Sequence, residues 1–140
     1  VIGVGAEDRG DDAAGLLVAR LLRPAAPPRV EILESPGDAG SLLTLLEGAD
    51  RVVLVDAAVA GREPGTVELV PPGVALRSAA HSTHGLGPAE ALDLAETLGI
   101  LPAVVRLYVV HGRGFDPGPV TREVSAGIHA AAERILRDEL

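Results

Sequence analysis

The chain has 140 residues, a length suited to one domain (residues 1–140) with a substantial core. Its apolar share is 47%, yet it has one Tyr, one Phe and no Trp, so the core must be aliphatic and stacking on nucleic-acid bases is disfavoured. A net charge of −8 with no Lys argues against a polyanionic partner, and the lack of Cys excludes disulfides, thiol nucleophiles and thiolate metal sites.

Val1–Val4 reads as a buried strand. It runs into the turn GVGAEDRGDD, where Glu7, Asp8, Arg9, Asp11 and Asp12 crowd together. Residues 12–23 show apolar positions at helical spacing and end before Pro24. Val30–Leu33 reads as a second strand, Ser35–Gly40 as a turn, and Ser41–Glu47 as a short helix. The run Val52–Val55 is uninterrupted, which implies burial on both faces in a parallel sheet, with Asp56 at its end. Ala60–Gly65 is a turn leading to a strand over Thr66–Val70; so short a turn suits an antiparallel neighbour. Residues 74–87 read as an irregular loop carrying His81 and His84. Pro88 suits a first helical position, and Gly99 the stop of that helix. Val104–Val110 is a last strand and His111–Val120 a loop. Thr121 is placed to cap a final helix that turns Val124, Ile128, Ala131, Ile135 and Leu136 inward. Alternating strands and helices predict a three-layer αβα sandwich around a mostly parallel five-stranded sheet with one antiparallel strand.

In such sheets functional groups gather beyond the carboxyl ends of the strands. Three places qualify: the acidic turn, Asp56, and the loop with His81 and His84. A lone carboxylate after VVLV is costly unless backbone N–H groups or a cation satisfy it. Adjacent Asp11 and Asp12 favour a helix start, but together with Glu7 and Asp8 they repel one another, and a bound cation would relieve that. Glu7 and Asp8 suit a solvated rim. His111 and His129 are weaker candidates. Carboxylates with imidazole suit zinc or nickel better than calcium, and such a site could polarise a carbonyl or activate water. GVG lacks the third glycine of a dinucleotide turn, and no P-loop, HExxH or nucleophile elbow is present.

These pieces resemble the hydrogenase maturation endopeptidases, which trim the C-terminal extension of nickel–iron hydrogenase large subunits. GVGAEDRGDDAAG is similar to the family's glycine-rich turn and acidic pair. VEILESPGDAGSLL, ADRVVLVDAAVAGREPGTVELV, STHGLGPAEALDLAETLGILP and VTREVSAGI resemble its later segments, so the likeness runs nearly end to end. The resemblance implies a cytoplasmic, metal-dependent endopeptidase of aspartic type that works as a monomer on a large-subunit precursor. Asp12, Asp56 and His84 fall on its catalytic, metal-contacting positions; His81 lies before the matched motif. The implied metal is nickel carried by the substrate, for which zinc or cadmium could substitute in a crystal. No nucleic acid and no membrane partner is implied. Asp11 is left as a possible proton shuttle and Glu34 as a border of the cleft. The chain departs from the family at Ala6, where asparagine is usual, at Ala13 (glycine), at Glu34 (aspartate), and at Ser35 and Pro36, which interrupt a glycine pair. The same residues also suit a non-enzymatic nickel-sensing or chaperone module, or a related peptidase with another substrate.

Overall fold

The computed structural model describes residues 1–59, 61–71 and 87–140. Five strands form one sheet: β1 (Ile2–Val4), β2 (Leu33–Ser35), β3 (Arg51–Ala58), β4 (Val67–Val70) and β5 (Val104–His111). Their spatial order is β2-β1-β3-β5-β4; all neighbours are parallel except β4, which runs antiparallel to β5. Among the described residues four α-helices cover it: α1 (Ala14–Leu22), α2 (Ala39–Leu46), α3 (Pro88–Thr97) and α4 (Arg122–Asp138), with a 3-10 turn at Gly10–Ala13 leading into α1. None of the described helices is long and apolar enough to cross a membrane.

The sheet is buried on both faces, as the apolar run in β3 requires. Side chains alternate along a strand. Val53 and Val55 therefore join Val18, Leu22, Tyr108, Val124, Ile128 and Ile135 under α1 and α4. Val52 and Leu54 join Leu42, Leu46, Leu92 and Leu107 under α2 and α3. The helix ends follow local chemistry. Asp38 caps α2 by accepting from Ser41 N–H at 2.9 Å, which starts that helix at Ala39 rather than at Ser41. Glu90 accepts from Gly87 N–H at 2.8 Å at the start of α3. At its end, Gly99 N–H and Ile100 N–H donate to the carbonyls of Glu96 and Ala95, with Gly99 at φ +72°; only glycine adopts that conformation cheaply. The far end of α4 is tied to the sheet by the fully buried Tyr108, whose hydroxyl donates to Glu139 at 2.8 Å, and by an Arg51–Glu139 ion pair.

Three expectations change. The second strand is Leu33–Ser35, not Val30–Leu33, because Leu33 N–H donates to Val1 O and Gly5 N–H to Ser35 O, whereas Val30 N–H closes a turn on Pro27 O. β3 continues past Asp56 to Ala58, since β5 pairs with it along its whole length. β4 does not form a hairpin with β3. With β1 on one edge of β3 and β5 on the other, no free edge remains, and β4 pairs with the outer side of β5.

Candidate functional site

The chain passes from β1 to β2 on one side and then returns to β3 on the other, so the carboxyl ends of β1 and β3 flank a topological switch point. The Gly10–Ala13 turn crosses this opening. Its position depends on two backbone-to-backbone contacts. A Cβ on Gly5 would overlap the Asp12 carbonyl oxygen, and Gly5 itself sits at φ +150°. A Cβ on Gly15 would overlap the carbonyl oxygens of both Val4 and Val55. The glycines of the acidic turn thus bring α1 and Asp12 down onto β1 and β3, rather than opening space for a phosphate.

Asp12 is half-buried, and so is Asp56, which lies on the α2/α3 face of β3. Burial pushes the Asp56 carboxyl up from 3.8 to about 7; the N–H of Ala57, 2.8 Å from Oδ1, pulls the other way, and the nearby Asp12 charge pushes it further up. The structure therefore brings these two predicted residues together. Two carboxylates within electrostatic reach, one of them poorly solvated, repel one another, and a cation between them would relieve that. His84, the third predicted residue, and His81 lie outside the described residues. Among the described residues no group of three His, Asp or Glu side chains is placed to hold a metal.

The other acids have different duties. Asp11 is 1% exposed and turns away from the opening into the β5–α4 loop. It accepts from Arg113 N–H (2.8 Å), Thr121 N–H (2.7 Å) and the Thr121 hydroxyl (3.0 Å). Its neighbours add backbone bonds from Gly10 N–H to Gly118 O and from Asp11 N–H to Gly114 O. Asp11 is thus a clamp that seats the turn carrying Asp12, not a proton shuttle. Thr121 is correspondingly the N-cap residue of α4 by position only, since it makes no side-chain cap bond. Glu34 does not border the opening. Its register partner is Gly3, on the face covered by α1, and it accepts from Arg20 and Arg23 of that helix. The Arg20 bond holds its carboxyl below the usual range, against a smaller opposing effect of burial and with Arg23 assisting. Glu7 is exposed, as expected of a rim residue, and also pairs with Arg20 at 2.6 Å. Asp8 and His129 are exposed.

The residues that sequence reasoning underrated are His111 and the loop after it. His111 ends β5, is 3% exposed, and its Nε2 lies 2.9 Å from Glu68 Oε2. A single histidine at the end of an apolar run was the only signal.

The sequence matches the hydrogenase maturation protease family over residues 16–138. No curated protein sequence matches the chain. Among solved structures, an endopeptidase from Escherichia coli is similar at 28% identity and TM-score 0.84, covering 98% of this chain and 88% of that one. The hydrogenase maturating endopeptidase HybD of E. coli is similar at 28% identity and TM-score 0.78, covering 97% and 88%. The hydrogenase maturation protease HycI of Thermococcus kodakarensis is similar at 28% identity and TM-score 0.73, again covering 97% and 88%. The fold and the matched length agree: the chain belongs to the hydrogenase maturation protease family.

Proposed function

We propose that this protein is the endopeptidase that removes the C-terminal extension of a nickel–iron hydrogenase large-subunit precursor after nickel insertion. The observation that carries the reading is the convergence of Asp12 and Asp56 at the β1/β3 switch point in a chain of this family. In this reading Asp12, Asp56 and His84 contact the nickel that the precursor already holds. The oxygen and imidazole donors fit a borderline divalent ion. The ion supplies Lewis-acid polarisation at the scissile carbonyl. Asp56 suits an intermittent ligand: desolvation favours its neutral form in the free protein, and an arriving cation favours its ionised form. Asp11 keeps Asp12 in place throughout, and the monomer acts in the cytoplasm on its client.

The test is processing of nickel-loaded precursor by wild type, Asp12→Ala, Asp56→Ala and His84→Ala. Loss of cleavage in each variant with retained folding is expected. Undiminished cleavage by all three overturns the assignment.

A further inference from the structure

His111 stands apart from the predicted ligands, and its surroundings are unusual. It is buried at the carboxyl end of β5. Its Nε2 pairs with Glu68 Oε2 at 2.9 Å, and the other carboxylate oxygen of Glu68 accepts from Arg62 at 3.0 Å. An ionised carboxylate only accepts, so this pair keeps the imidazole proton on Nε2 and leaves a lone pair on Nδ1. That Nδ1 is buried with no hydrogen-bond partner, the only such side-chain atom among the described residues. A buried acceptor left without a partner is costly, and native proteins keep few of them.

Its location gives it a use. In the sheet register Asp56 pairs with Val109 and Ala58 with His111, so Asp56 and His111 lie on adjacent strands, two positions apart, on the same face. Strand spacing of ~4.8 Å and a two-residue rise of ~6.6 Å set their Cα atoms roughly 8 Å apart. Glu68 lies on the same face of β4, in line with Val109 and Asp56.

We propose that His111, oriented by Glu68, is the proton-transferring residue of the peptide cleavage, a role that rests on the endopeptidase reading above. Nδ1 takes a proton from water as the water oxygen bonds to the scissile carbonyl carbon. The same proton passes to the amide nitrogen as the C–N bond breaks, which yields a carboxylic acid and an amine; the acid's remaining proton then passes to the amine or to solvent, leaving the carboxylate. Water and the peptide are the only reactants consumed. Glu68 stabilises the transient imidazolium through Nε2–H and is a positioning residue; Arg62 holds Glu68.

The test uses the full chain and nickel-loaded precursor at single turnover, with His111→Gln, Glu68→Gln and wild type compared for precursor binding, cleavage rate and urea midpoint. His111→Gln is expected to bind precursor as wild type does and to cleave about 10²–10³-fold more slowly. Glu68→Gln is expected to lose roughly tenfold in rate and, by ¹⁵N NMR, to mix the two imidazole tautomers. Cleavage by His111→Gln within about threefold of wild type overturns the proposal, as does a loss of rate matched by an equal loss of precursor binding. A wild-type spectrum with the proton on Nδ1 overturns it too, whether or not the variants fold. If wild type cuts and His111→Gln cuts equally well, only His111 loses its role. If wild type cuts no precursor, the endopeptidase reading itself falls, and the proton-transfer role with it.

Discussion

Asp56→Asn isolates the central electrostatic feature of the site. The carboxyl has its pKa raised from 3.8 to about 7, chiefly by desolvation. Below the unfolded value both states hold the proton, and Asp56 carries no penalty. Between the two values the unfolded chain releases the proton while the folded protein keeps it, so stability falls as pH rises. Above the folded value the penalty is complete. The interval from 3.8 to about 7, at about 1.36 kcal/mol per pH unit, corresponds to at most about 4 kcal/mol, and partial exposure of Asp56 lowers it by screening. Asparagine keeps the shape and removes the charge. The variant should already exceed wild type by about 1 kcal/mol at pH 4.5, and the gap should widen up to pH 8, where it approaches that limit. Urea unfolding at four pH values between 4.5 and 8 measures this, with an unchanged slope showing that only stability moved. A stability difference that stays flat across the range would refute the reasoning, because it would mean that Asp56 is well solvated or ionises freely in the fold. In the same variant, precursor processing should be lost. A more stable and less active protein is what a poorly solvated functional carboxylate predicts.

Asp11→Asn replaces an acceptor oxygen with an amide that faces the Arg113 and Thr121 donors; urea denaturation should show a loss of about 3 kcal/mol, with cleavage falling as Asp12 loses its seat. Gly5→Ala forces a Cβ onto the Asp12 carbonyl at φ +150°; it should lower the unfolding midpoint by the equivalent of at least ~2 kcal/mol and abolish processing. Tyr108→Phe removes the hydroxyl bond to Glu139 but leaves its ion pair with Arg51; a loss of roughly 1–2 kcal/mol with normal processing is expected, since this contact lies at the other end of the sheet.

Much of the architecture was legible in the sequence because it rests on local periodicity. The run Val52–Val55 reports burial on both faces wherever its partners come from, and the apolar spacing of the last helix reports one inward face. Pro88 and Gly99 mark the limits of α3 by backbone chemistry alone. The strand order was not legible. That β5 lies between β3 and β4 depends on which edges remain free after the other strands have paired, and no local pattern records that.

The site divides in the same way. Charge type and position after strands pointed to Asp56 and to the acidic pair Asp11 and Asp12, and the family resemblance chose Asp12 of that pair. Only the tertiary structure decided what the neighbouring acids do. In a 3-10 turn, with about three residues per turn, successive side chains point roughly 120° apart. Asp11 therefore enters the loop that ends at Thr121 while Asp12 stays at the opening beside Asp56. Glu34 was one strand away from the opening in sequence logic, yet it sits on the opposite face of the sheet because its register partner is Gly3. His111 acquired its environment from Glu68, 43 positions earlier in the chain. Residue type and local spacing determine which groups could act. Which of them meet is set by pairings across the whole chain, and those exist only once it has folded.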